Sequence, residues 1–247
     1  MPDKKRRLDQ LLVERGLAAD TSLAAALIMA GRVVVDEQRM DKPGALVPDG
    51  VVVRLKEGRP VGGRGAEKLR GALEDFGLVE ALRGAVVLDA GASTGGFCRC
   101  ALQHGASRVI AVDVGRNQLD WQLRSDPAVL CLEQTDIRRY RHPDGEPAVN
   151  LLLADISFHP LAPLVPALAA AAPGPGVIFL LLVKPQFELP AGLVPDGGVV
   201  RDPGLQDRAV QSVAAAVQQA GFPAPEVRPS RLTGKSGNQE YFLMFRR

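Results

Sequence analysis

Apolar positions along this chain follow one pattern in its first quarter and another thereafter. The stretch "RRLDQLLVERG" puts Leu8, Leu11 and Leu12 on one helical face and ends at Gly16. Asp20 or Thr21 then caps a second predicted helix, "SLAAALIMAG", which Gly31 stops. "RVVV" and "VVVRL" read as short strands on either side of the turn-rich "DKPGALVPDG". The first segment is thus predicted to be a small α+β unit, with a core that is marginal alone and workable when tethered to a larger domain. The Gly- and Pro-containing connector "KEGRPVGGRG" follows. Beyond it, predicted strands "AVVLDA", "RVIAVDV", "AVLCLEQ", "NLLLADI" and "VIFLLLVK" alternate with helices such as "EKLRGALEDF" and "DRAVQSVAAAVQQAG". Two last strands are expected around "EVRPSRL" and "YFLMFRR". Apolar strands alternating with helices predict a mostly parallel sheet covered on both faces, an α/β domain. The expected division is residues 1–58, a linker at 59–65, and residues 66–247.

Composition adds little to this picture and removes several alternatives. With 46% apolar and 23% charged residues the chain has the make-up of a soluble globular protein. A net charge of +2 names no partner, so any nucleic-acid surface must arise from how the charges are arranged. Cys98, Cys100 and Cys131 have no disulfide or metal-ligand spacing, which predicts a reducing, cytoplasmic setting. His104, His142 and His159 are scattered, and no metal site is expected. The N-terminal "MPDKKRRLDQLL" lacks the apolar core of a signal peptide. Residues 156–183 imitate a membrane span, but Pro160, Pro163, Pro166, Pro173 and Pro175 interrupt them, predicting a helix, a "PGPG" turn and a buried strand.

The candidate chemistry begins at "VVLDAGASTGGF", where a strand runs into a glycine-rich loop. Ligands of doubly wound sheets bind beyond the carboxyl ends of the strands. The loop lacks the Gly-x-Gly-x-x-Gly spacing of a dinucleotide site, and Asp89 near the strand tip would repel a pyrophosphate. A ligand with a cationic tail would be favoured instead, and S-adenosylmethionine, with its ammonium and sulfonium, is such a ligand. Asp113 after the second strand is placed to accept ribose hydroxyls, and Asp136 after the third to accept the adenine amino group. The candidate cofactor site is therefore Asp89, the loop residues Gly91, Ser93, Thr94, Gly95, Gly96 and Phe97, and the pairs Asp113–Val114 and Asp136–Ile137. Trp121 reads as a packing residue close to the adenine edge.

Charged residues also follow other apolar strands: Asp155 after "LLLA", Lys184 after "FLLLV", and Glu240 at the opening of the last strand. A charge placed there is costly unless exposed or paired. Lys68, in "RGAEKLRGAL", can enter the same cleft from the preceding helix. With "RGAEKL", "DAGASTGGF", "ADISF", "VKPQFE" and "GNQEYF" in this order, the chain resembles the TlyA (haemolysin A) family of ribosomal RNA 2′-O-methyltransferases. The resemblance implies an FtsJ-like, Rossmann-like class I methyltransferase fold with a seven-stranded sheet, and a catalytic tetrad at Lys68, Asp155, Lys184 and Glu240. A 2′-hydroxyl is a weak nucleophile, so catalysis needs in-line positioning and a proton acceptor, for which Lys184 is the candidate.

The first segment is similar to S4-type RNA-binding domains at "RLDQLLVERG", "ALIMAGRVVVD" and "VVVRL". This implies RNA contacts by Lys4, Lys5, Arg6 and Arg7 from the first helix and by Arg32, with Arg59 and Arg64 leading toward the cleft. Asp20-Thr21 stands where the family usually has Ser-Arg, and the linker "RPVGG" lacks the family's aromatic residue. The expected partner is ribosomal RNA or a ribosomal subunit, met by a monomer without a membrane. The short C-terminal form favours large-subunit rRNA, with a cytidine as target and the small subunit also open. Three alternatives stand beside this reading: a membrane-lytic haemolysin, an RNA-binding protein with an inactive methyltransferase fold, and a nicotinamide-dependent reductase.

Overall fold

A computed structural model describes residues 5–18, 20–29, 31, 33–55 and 63–247. Lys4, Arg32 and Arg59 lie outside the described residues. The chain separates into two compact units, Met1–Arg59 and Pro60–Arg247.

The first unit is built from β1 (Lys5–Arg7), α1 (Leu8–Glu14), α2 (Thr21–Met29), β2 (Val33–Val35), β3 (Gln38–Met40), β4 (Leu46–Pro48) and β5 (Val53–Leu55). Leu8, Leu12, Ile28 and Val33 are fully buried at its centre. The expected first helix starts late. Arg6 and Arg7 are extended in β1 and pair antiparallel with β4, and the amides of Leu8 and Asp9 donate to Ala45 and Pro43. These bonds to a distant segment satisfy backbone groups that a first helical turn would leave free. The turn-rich stretch likewise contains β4, and β3 lies just before it. Asp36 and Glu37, both at positive φ (44° and 67°), make the tight turn from β2 to β3, a conformation that Asn-Gly would have announced and Asp-Glu does not. β2 takes β3 on one side and β5 on the other, both antiparallel.

The second unit contains α3 (Gly63–Asp75), β6 (Val86–Ala90), α4 (Gly96–Gln103), β7 (Arg108–Val112), α5 (Trp121–Arg124), β8 (Val129–Leu132), β9 (Leu151–Ala154), α6 (Val165–Ala171), β10 (Ile178–Val183), α7 (Pro185–Glu188), α8 (Pro203–Gln219), β11 (Glu226–Pro229) and β12 (Tyr241–Arg246). Helix α3 already includes Gly63–Gly65, residues read from the sequence as linker. The seven strands lie in the order β11-β12-β10-β9-β6-β7-β8. β10, β9, β6, β7 and β8 are parallel, and β12 runs antiparallel to both of its neighbours. Alternate strand residues feed two cores. Val87, Leu153 and Leu182 meet Leu69, Leu73 and Phe97 on one face, while Leu88, Leu152 and Leu181 meet Leu168, Val213 and Val217 on the other. All six residues of β10 are buried, which is why its sequence is continuously apolar rather than alternating. The apolar stretch that imitates a membrane span is divided between α6 and this strand, and no helix among the described residues is long and apolar enough to cross a membrane.

Candidate active site

The glycine loop after β6 makes close approaches, chiefly to its own protein. Gly91 has φ +84°, and a Cβ there would lie 2.8 Å from the Asp155 carbonyl oxygen at the end of β9. Gly95 has φ +91°, and its Cβ would lie 2.2 Å from Leu123 Cδ1. Any side chain would be strained at both places and would also push apart the strand ends or α5. Gly96 abuts α3, since a Cβ on Gly65 would come within 3.4 Å of the Gly96 Cα. Phe97 is buried and stacks on Phe242 with ring centroids 6.3 Å apart.

A cavity of about 590 Å³ opens beyond the carboxyl ends of β6 to β9. It is lined by the expected Gly91, Ser93, Asp113, Val114, Asp136 and Ile137, and also by Asp155. The expected Asp89, Thr94, Gly95, Gly96 and Phe97 do not line it. The last three shape the loop from behind, and the Thr94 carbonyl accepts the Asp120 amide before α5. Asp113 is fixed by two backbone donors, Ser93 N–H at 2.8 Å to Oδ2 and Gly115 N–H at 2.7 Å to Oδ1. Each oxygen retains lone-pair capacity toward the cavity. Asp136 is held by Arg138, whose Nη2 is 2.5 Å from Oδ2, and this pairing, with the Arg138 amide, lowers its pKa to about 2.

Asp89 departs from expectation in position. It lies within β6 and is fully buried, so it is not a mouth residue. Its Oδ2 accepts from Cys98 Sγ at 3.0 Å, while Oδ1 has no partner. Burial, assisted by the Asp155 and Asp113 charges, raises its pKa to about 7. A buried acid with a raised pKa binds more protons folded than unfolded, so between about pH 4 and 7 it lowers stability as pH rises. Asp89→Asn is therefore expected to remove a pH-dependent loss on the order of 4 kcal/mol. Denaturant titrations at pH 5 and pH 8 check this: the variant should gain clearly more on the parent at pH 8 than at pH 5, and parallel profiles would dismiss the proton from Asp89.

The four tetrad residues form two ion pairs. Lys68 Nζ, on α3, is 2.5 Å from Glu240 Oε2, with both residues buried. Lys184 Nζ is 2.6 Å from Asp155 Oδ1 and donates to Ser157 Oγ at 2.6 Å. The strand register joins the pairs. Val183 of β10 faces Tyr241 of β12, so Lys184 and Glu240 continue the ladder as neighbours. The loop before β12 encloses Glu240: a Cβ on Gly234 would lie 2.6 Å from Glu240 Oε1. Asn238, 1% exposed, ties this loop down by accepting from Val200 N–H and donating to the Gly198 carbonyl.

The structure adds site residues that sequence reasoning missed. Gln118, Thr135, Ser157, Phe158 and His159 line the cavity. Phe158 is 90% exposed, sits at φ +62° and lies 5.3 Å, centroid to centroid, from Phe187, whose ring is 6.0 Å from Lys184 Nζ. A bulky residue at positive φ, strained and uncovered, points to function rather than packing. Trp121, expected as a packing residue close to the adenine edge, is instead 73% exposed at the start of α5, while Leu119 and Leu123 take the contacts with the glycine loop. The expected RNA-binding arginines are differently placed. Arg6 and Arg7 are on β1, not on a helix; Arg6 pairs with Glu14 and Asp49 and Arg7 with Asp9. Lys5 is exposed on the same strand. Arg64 donates to the Thr233 carbonyl within the second unit.

A mostly parallel seven-stranded sheet with one antiparallel strand, and a cavity beyond its carboxyl ends, is the architecture of a class I methyltransferase. The chain belongs to the FtsJ-like methyltransferase family, whose pattern it matches over residues 62–247, and residues 6–53 match the S4 domain. Over 245 residues it is 45% identical to a Mycobacterium tuberculosis protein named 16S/23S rRNA (cytidine-2′-O)-methyltransferase TlyA, covering 98% of this chain and 90% of the relative. A Brachyspira hyodysenteriae protein named Hemolysin A is 32% identical, covering 97% of this chain and 99% of its own. A solved structure described as a hemolysin from Streptococcus thermophilus superposes with a TM-score of 0.71 at 36% identity, covering 98% of this chain and 88% of that one.

Proposed function

We propose that this protein transfers a methyl group from S-adenosylmethionine to a ribose 2′-hydroxyl of ribosomal RNA, at a cytidine. The observation that carries the proposal is the buried Lys184 side-chain nitrogen, held between Asp155 and Ser157 at the edge of the cavity. The site suits the donor: the Asp113 carboxylate lines the cavity with lone pairs free for ribose hydroxyls, and it would not tolerate a pyrophosphate nearby. When bound, S-adenosylmethionine supplies a methyl group already activated on sulfonium.

The protein's own work is positioning and proton handling. Asp113 offers its free lone pairs to ribose hydroxyls. Asp136 is available to an adenine amino group once Arg138 shares it, and Ile137 gives the base an apolar neighbour. Phe158, with Phe187 behind it, offers a face on which the target nucleobase stacks beside Lys184. Lys184 accepts the proton of the 2′-hydroxyl as the O–CH₃ bond forms, and Asp155 holds the resulting ammonium. Lys68 and Glu240 fix the neighbouring edge of the site. The S4 unit, with Lys5 and the paired Arg6 and Arg7 on β1, brings rRNA phosphate to the enzyme. The protein acts as a cytoplasmic monomer on ribosomal subunits.

Of the names carried by its relatives, the methyltransferase one is matched by the side-chain geometry of the second unit. The test uses purified protein with tritiated S-adenosylmethionine and 16S and 23S rRNA, free or in subunits, followed by mapping of 2′-O-methylation. A single methylated cytidine ribose, with large-subunit rRNA the first substrate, is the expected outcome. Label on a base, or none on either rRNA, would refute the reading.

A further inference from the structure

We infer that Ser157 is a positioning residue that allows Lys184 to change its protonation state, an inference that rests on Lys184 being the proton acceptor. The nitrogen is enclosed, since Lys184 is 7% exposed. Asp155, just past β9, stands 2.6 Å from it, yet that carboxylate oxygen has no aligned hydrogen bond. Glu240 is the neighbour in the β12 register but is bonded to Lys68. Phe187 on α7 offers only a ring, 6.0 Å away. Among the described residues, the aligned hydrogen bond from Lys184 Nζ goes to Ser157 Oγ at 2.6 Å.

A carboxylate only accepts hydrogen bonds, whereas a hydroxyl both accepts and donates. With Lys184 as ammonium, Ser157 accepts from it across the same 2.6 Å contact. With Lys184 as the neutral amine needed to take up a proton, the nitrogen presents a lone pair that neither Asp155 nor Glu240 satisfies. Ser157 satisfies it between turnovers by turning its O–H toward the nitrogen, and turns back to accept an amine N–H when the 2′-hydroxyl takes its place on the lone pair. Ser157 is an exposed residue that lines the cavity, so it also connects a buried nitrogen to the solvent side. After each turnover the ammonium passes a proton to Ser157 Oγ as the hydroxyl's own proton passes to cavity water. Lys184 is left neutral and Ser157 unchanged. Sequence alone places Ser157 two residues past Asp155, with nothing to indicate that it serves a lysine on the next strand.

The test compares Ser157→Ala, Ser157→Thr and Lys184→Ala in steady-state methyl transfer to rRNA, with calorimetry for S-adenosylhomocysteine and thermal denaturation of each. Ser157→Ala is expected to lower kcat about ten- to a hundredfold, the worth of a hydrogen bond to a charged group. KM for both substrates, S-adenosylhomocysteine affinity and melting temperature should stay at parent values. Ser157→Thr, which keeps the hydroxyl, should recover kcat to within about threefold. Parent-like kcat in Ser157→Ala beside an inactive Lys184→Ala overturns the role of Ser157 alone. So does a loss expressed only in KM, or a threonine variant as slow as the alanine one. Activity in Lys184→Ala would instead remove the proton-acceptor reading beneath it.

Discussion

Lys184→Ala is expected to lower kcat for rRNA methyl transfer about 10²- to 10⁴-fold, the range that a positioned proton acceptor contributes. Affinity for S-adenosylhomocysteine should change by no more than about twofold, because Lys184 is not among the residues lining the cavity. Folding should also survive. Asp155, deprived of its partner, lines the cavity and retains 23% side-chain exposure, so water can solvate the freed carboxylate. Tritium incorporation and calorimetry on the same preparation separate the two effects. Near-parental turnover with intact donor binding would show that the proton goes elsewhere.

The second large effect is on stability. Glu240→Ala strands the Lys68 ammonium in a site where it is only 9% exposed. Removing one partner of a buried pair costs about 3–5 kcal/mol, since an uncompensated charge stays in a poorly solvated place. For a unit of this size the melting temperature should fall by roughly 10 °C. Lys68→Met combined with Glu240→Leu should recover most of that loss without recovering methyl transfer, because apolar packing can replace a buried pair in stability but not in charge. If the single variant melts like the parent, Lys68 has found another partner and the pair carries little of the unit's stability.

The doubly covered sheet was legible because long apolar strands and amphipathic helices have periods that a reader can count, as in "VIFLLLV" and "DRAVQSVAAAVQQAG". The strands of the first unit were less so. β1, β3 and β4 are three residues each, too short to display alternation, and β1 exists only because β4 pairs with it. At the site, the acidic residues after β7, β8 and β9 were visible from their position, and all three line the cavity. Side-chain direction was not visible. Asp89 looked like a residue of the mouth because it nearly ends its strand, yet it faces Cys98 inside. Likewise the loop glycines suggested room for a ligand, while Gly91 and Gly95 give that room to Asp155 and Leu123. Arg6 and Arg7 show the same limit, since a basic run in sequence says nothing of Glu14, Asp49 and Asp9 folded against it.

The place of β12 has a consequence for biosynthesis. It enters between β10 and β11, and Glu240 at its start meets a lysine 172 positions earlier in the chain. While the polypeptide is still emerging from the ribosome, the Lys68 ammonium must remain hydrated and the sheet must stay open for one more strand. A nascent chain that has not yet reached β12 therefore lacks a finished site, and the capacity to methylate rRNA arrives only once that strand has been made.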